Sequence, residues 1–158
     1  MCDWKKKLSN EAKKVGLIEN DYNNSRKSDV KTVEEKQDFI KEAETVIHSI
    51  GSEGRYGYKF DITTSKLRNI LTLINQIYNE AILQEDKLPE STQDKIKYLK
   101  IRIIYEAGRD KKAMKGFVEK AKLLEKIDSI GSSKKRYIEF SRYFEALVAY
   151  HRFLGGND

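Results

Sequence analysis

One cysteine and one proline in 158 residues set the first limits on this chain. Cys2 alone cannot close an internal disulfide, so the fold must be held by its core, and a reducing interior such as the cytoplasm is the expected setting. The scarcity of proline removes the commonest interruption of helices. Long apolar runs are also missing. The longest is the five residues from Ala146 to Tyr150, against the ~20 that a membrane-spanning helix needs. Lys5, Lys6 and Lys7 lead into mixed polar sequence and not into an apolar core, so no secretory signal is expected. There are two histidines, His48 and His151, and neither has a second candidate ligand at helical spacing; Glu145 lies on a different helix face from His151. The motifs GxSxG, CxxC and HExxH do not occur, and adjacent acids such as Glu34 with Glu35 or Glu85 with Asp86 diverge on a helix. No metal, cofactor or catalytic group is expected, and the chain reads as a binder.

Charge, by contrast, is plentiful, at 35% of residues, with a net value of +6. It is unevenly placed: residues 1–50 carry 10 basic and 10 acidic side chains, residues 51–158 carry 21 and 15. The whole excess therefore belongs to the second part. A surface for a polyanion explains that asymmetry, and so does a simple need for solubility.

The stretch that organises the rest is 133–156, SKKRYIEFSRYFEALVAYHRFLGG. At about 100° per residue, Tyr137, Phe140, Phe144, Leu147, Val148, His151 and Leu154 share one face, widened by Tyr143, Ala146 and Tyr150. A helix apolar over so much of its girth needs several partners, which makes it the central rod of a bundle. Ser132 or Ser133 can cap its start, and Gly155 and Gly156 suit a left-handed stop. His151 lies mid-stripe and reads as a core histidine.

Four more helices are expected. Thr32 to Ile50 turns Phe39, Ile40, Ala43, Val46, Ile47 and Ile50 inward. Residues 62–82, capped by Thr63 or Thr64, bury Leu67, Ile70, Leu71, Ile74, Ile77, Tyr78 and Ala81 and leave Arg68, Thr72, Asn75 and Asn79 in line on the far side. That row has one cation among uncharged hydrogen-bonding groups, which suits a contacted polar surface better than open water. After the break at Pro89, Ser91 with Asp94 forms a capping-box pattern for a helix that buries Ile96, Leu99, Ile103 and Ala107. Beside them Tyr98, Arg102, Tyr105 and Arg109 line up. Such a row can stack bases and pair phosphates, or the tyrosines can edge the core under the arginines. Asp110 begins a fifth helix with Met114, Phe117, Ala121 and Leu124 inward and lysines outside.

Between the first two of these helices, GSEGRYGYKFD spaces three glycines among Arg55, Tyr56, Tyr58, Lys59 and Phe60. It lacks the GK[ST] ending of a phosphate-cradling loop. Cations and aromatics on a loop can wrap a single strand, and an ordinary hinge whose aromatics cover the bundle end fits as well. Near the start, Trp4, Leu8, Ala12 and Val15 mark a short amphipathic helix over residues 3–15, and 19–31 is a polar linker. The expected fold is all-α: a compact bundle of about five helices over 32–156, preceded by an N-terminal arm and linker, 1–31.

Three stretches carry a family likeness: ITTSKLRNIL from 62, YLKIRIIYEAGR from 98, and the closing SKKRYIEFSRYFEALVAYHRFLGG. Together they resemble the small helical subunit of the type III-A CRISPR effector complex, the Csm small subunit. The likeness covers roughly residues 35–156 in order. It implies copies stacked head to tail as the inner filament of a ribonucleoprotein facing the duplex of guide RNA and target RNA. Cleavage in that family belongs to the backbone and large subunits. For this chain the resemblance implies a non-catalytic, RNA-backbone-binding part in antiviral defence. The cations it puts forward are Lys66, Arg68, Arg102, Arg109, Lys134, Lys135 and Arg142; Lys59 joins them from the glycine-rich segment. Two departures stand out: residues 1–30 have no counterpart, and Leu67 replaces the usual isoleucine. A different class of protein, a stand-alone helical nucleic-acid-binding or adaptor domain, is the alternative.

Overall fold

Tyr137, Phe140, Tyr143, Phe144, Leu147, Val148 and His151 recur at helical spacing in one long helix, Lys134–Phe153, and every one of them is buried. The fold is the arrangement that covers this helix. In the computed structural model, residues 39–55 and 57–157 are described. The arm, the linker, the 31/32 boundary and the first residues of the Thr32 helix lie outside them.

Among the described residues, six helices and one hairpin follow in order: α1 over residues 39–50, β1 (Ser52–Gly54), β2 (Gly57–Lys59), α2 (Thr64–Ala81), α3 (Glu90–Arg109), α4 (Ala113–Lys120), α5 (Leu123–Asp128) and α6 (Lys134–Phe153). α6 starts where Ser133 Oγ accepts the Arg136 N–H at 3.4 Å and ends where Gly155 takes φ +105°, a conformation that costs glycine little.

α2 is the main partner of α6. Thr63 caps it by accepting the Lys66 N–H at 3.4 Å, and Leu67, Ile70, Ile74, Ile77 and Ala81 turn inward. Each such Leu or Ile contributes roughly 1.5–3 kcal/mol through removal of apolar surface from water. The two helices run antiparallel. The Tyr137 hydroxyl donates to the Ile74 carbonyl at 2.7 Å, the Lys134 ammonium reaches the Ile82 and Gln84 carbonyls at the end of α2, and His151 meets Ile62 and Thr64 at its start. α3 also runs antiparallel to α2, tied at its two ends by Lys95–Glu80 and Lys66–Asp110, both 2.5 Å. α4 and α5 pack against α3, and α5 reaches α6; Phe117 sets its ring edge-on to Phe144 at 6.3 Å, and the Tyr143 hydroxyl donates to the Ala121 carbonyl at 3.2 Å. α1 buries Ala43, Val46 and Ile47 and is pinned by Lys126–Glu42 at 2.9 Å.

The all-α expectation holds, with four local corrections. The glycine-rich segment is a β-hairpin in which Gly54 pairs with Gly57; Gly57 at φ +117° permits the tight reversal. Its Phe60 ring lies 4.5 Å from His151 with Tyr58 stacked on it at 6.1 Å, so these two aromatics cover the end of the bundle. Ser91 and Asp94 make no capping box. Pro89, with φ −64°, stands at the cap position without a side-chain bond, and Asp94 pairs instead with Lys97 at 2.8 Å. The fifth helix is two helices, broken at Lys122, which takes φ +51°. That turn lets Phe117 and Ala121 before it, and Leu123 and Ile127 after it, all reach the core. Ile40, expected inward, is 42% exposed.

Candidate nucleic-acid interface

The α3 row is built by the i, i+3, i+4 geometry of a regular helix. Tyr98, Arg102, Tyr105 and Arg109 are all exposed. At 59% and 56%, the two tyrosines are too open to be edging the core. The Arg102 guanidinium lies 5.8 Å from the centre of the Tyr105 ring, a cation–π arrangement that holds it in place. Glu106 stands between the two arginines, 3.8 Å from Arg102 and 3.7 Å from Arg109. Ion pairs this long and this exposed are weak, and they leave most of the guanidinium donors for another acceptor.

Beside this row, and sharing Tyr98 with it, Leu73, Gln76, Ile77 and Glu80 of α2 and Asp94, Lys95, Tyr98 and Leu99 of α3 line an open cavity of about 440 Å³. Arg68, Thr72, Asn75 and Asn79 are exposed as well. They lie on another face of α2, roughly 110° further round at about 100° per residue.

The remaining cations divide by what their ammonium groups already do. Lys66 is half-buried and bound to Asp110. Its ammonium, followed by the Ala113 N–H, holds the Asp110 carboxyl below the usual carboxylate range. Lys134 is half-buried and fastens the α2 terminus through the Ile82 and Gln84 carbonyls, at 2.9 and 2.5 Å, where a cation also opposes the negative end of the helix dipole. Lys59, Lys135 and Arg142 are exposed, with Lys135 only loosely paired to Glu139 at 3.9 Å. The eight cations therefore do not converge on one patch. Lys66 and Arg109 lie toward one end of α2 and Lys134 and Lys135 toward the other, about 27 Å apart for its 18 residues.

Lys112, which sequence reasoning did not single out, joins the first end through Asp61 at 3.0 Å. The α2/α3 cavity lies toward the other end of α2; its walls come from separate helices, and its Glu80–Lys95 tie has no signature in local sequence. Interior titratable groups are engaged in structure. His151 Nε2 faces the Ile62 carbonyl at 3.0 Å and Nδ1 faces Thr64 Oγ1 at 3.4 Å; burial, followed by the nearby Arg152 charge, lowers its pKa despite the bond to Ile62. Burial raises the hydroxyls of Tyr137 and Tyr143. Among the described residues no group of His, Cys, Asp and Glu could hold a metal ion, and no helix is long and apolar enough to cross a membrane.

Comparison with known proteins adds an independent line. The family described as Csm2 Type III-A matches residues 34–157. A Mycobacterium tuberculosis protein named CRISPR system Cms protein Csm2 is 38% identical over 124 residues, covering 78% of this chain and 96% of the relative. Proteins of the same name from Enterococcus italicus and Streptococcus thermophilus are 41% and 34% identical. The first alignment covers 58% of this chain and 67% of the relative, the second 77% and 95%.

Proposed function

The chain belongs to the Csm2 Type III-A family, the small subunit of a type III-A CRISPR complex, and from that premise we propose that it is a non-catalytic, RNA-backbone-binding subunit that stacks with further copies along guide and target RNA. The observation that carries this reading is the exposed α3 row, where guanidinium groups alternate with open tyrosine rings on a rigid 20-residue helix. Arg68 on α2, Lys135 and Arg142 on α6, and Lys59 on the hairpin extend the positive surface around the bundle. Lys66 and Lys134 belong to it as holders of the helix ends, adding potential more than contact.

Such groups neutralise phosphates and read no base edges, as a complex that accepts any guide sequence requires. Self-association fits the same reading: one copy offers few phosphate contacts, and stacking multiplies them through high effective concentration. The backbone and large subunits are the other proposed partners, and the cytoplasm the proposed location.

The test is a salt titration of the assembled complex on RNAs of unrelated sequence. Affinity should fall with a log–log slope of about −0.7 per phosphate contacted by a single strand, with no preference among sequences. Strong sequence selectivity, or binding indifferent to salt, refutes the proposal.

A further inference from the structure

The geometry points to a capture site for one unpaired RNA base in the cavity between α2 and α3, with Tyr98 as its stacking platform and Arg102 holding the adjoining phosphate. This deepens the backbone reading and rests on it. The cavity, at about 440 Å³, falls within the size range of small-ligand sites. Its floor is apolar, from Leu73, Ile77 and Leu99, and its rim is polar, from Gln76, Glu80, Asp94 and Lys95.

A nucleobase has the same division: flat apolar faces and a hydrogen-bonding edge. The carboxamide of Gln76 is both donor and acceptor and so tolerates every base. The acids do not repel the ligand as bare charges would, because Glu80 is paired with Lys95 and Asp94 with Lys97. One turn along α3 from Tyr98 comes Arg102, already ordered over Tyr105; Arg109 lies about 16 Å from Tyr98, in line for phosphates further along the strand. A strand whose base enters the cavity thus finds guanidinium groups where its backbone continues. An apolar peptide side chain would use the floor and leave that rim and row idle, so charge and shape favour the nucleotide. Stacking on a tyrosine is also indifferent to base identity, in keeping with a subunit that reads no sequence.

The experiment compares the full chain, at low salt, on two probes: an oligouridylate and an abasic ribose-phosphate oligomer of equal length. The wild type should bind the oligouridylate about tenfold tighter, the scale of one base–aromatic stack. Tyr98→Ala should erase that difference without changing affinity for the abasic probe, and Tyr98→Phe should preserve it. Tyr98 is 59% exposed, so neither variant threatens folding. Equal binding of both probes by the wild type, or equal weakening of both in Tyr98→Ala, overturns the base site and leaves backbone binding standing. Failure of the wild type to bind either probe overturns the base site, while the backbone reading is decided by the salt titration of the assembled complex, where stacked copies multiply the contacts. Should Tyr98→Ala leave both affinities intact and instead release a partner subunit from the assembled complex, the cavity is a protein-docking site and the inference is wrong.

Discussion

The Nε2 atom of His151 lies 3.0 Å from the carbonyl of Ile62, joining the end of α6 to the residue that leads into α2. A carbonyl can only accept, so Nε2 carries the proton and Nδ1 is left to accept from Thr64 Oγ1 at 3.4 Å. The neutral ring is therefore the form that fits, and the buried position lowers its pKa below the ordinary 6.5.

The sign of the pH dependence follows. Well above pH 6.5 the ring is neutral in folded and unfolded chains and its contribution is complete. As pH falls below that value the unfolded chain takes up a proton that the folded chain resists, so stability drops until the folded pKa is passed. Urea midpoints should fall between neutral and mildly acidic pH, and fall less in His151→Gln. An unchanged difference between the two proteins would show that the ring is not kept neutral by the fold.

Gly156 tests the same corner from the other side. Its α-carbon is packed so tightly on the His151 ring that an added methyl group would overlap it. The tail is held there by Gly156 N–H to the His151 carbonyl and Thr64 N–H to the Asn157 carbonyl, both 2.8 Å. Gly156→Ala should force the tail away and cost about 1–3 kcal/mol by overpacking, measured by denaturant unfolding. A neutral result would mean that the tail contributes nothing to the bundle.

Lys122 bears a conformational cost that can be removed. It is an exposed residue with a side chain at φ +51°, where an L-residue is disfavoured by roughly 1–2 kcal/mol and glycine is not. Lys122→Gly should raise stability by about 1 kcal/mol, less whatever entropy the unfolded glycine regains, with the circular-dichroism spectrum unchanged. A destabilised variant would mean that the lysine stem supplies packing that outweighs its backbone strain.

Lys134 and Arg142 lie two turns apart on α6 and should separate in effect. Lys134→Ala removes two hydrogen bonds to the Ile82 and Gln84 carbonyls just past α2 and should cost about 1 kcal/mol with little loss of RNA affinity. Arg142→Glu, at an exposed position, should leave the melting temperature near its original value and weaken RNA capture by the complex; Arg68→Glu should weaken RNA capture as well. Reversal of this pattern would make Lys134 the contact and Arg142 the structural residue.

Much of the bundle was legible because helices write their burial into local spacing. The Leu67, Ile70, Ile74, Ile77 stripe and the broad face of α6 follow from the 3.6-residue period, whatever the partner helix is. The hairpin was harder to read, since three glycines within seven residues resemble a loop. The break at Lys122 was illegible, because an ordinary lysine takes a glycine conformation there to keep Phe117 and Leu123 both inside.

The chain's own order of residues determined that it would be an all-α bundle around residues 133–156, basic on its outside, with the family likeness carried by those same stretches. Tertiary structure alone decided how deeply each cation sits. Lys66 and Arg68 look alike in sequence, yet the antiparallel packing of α3 on α2 half-buries Lys66 against Asp110, whereas Arg68 stays exposed. It also decided that Tyr98 would border a cavity. Helical period is set by bonds between near neighbours, whereas ion pairs and cavities between helices depend on how separate segments approach, and no local pattern records that approach.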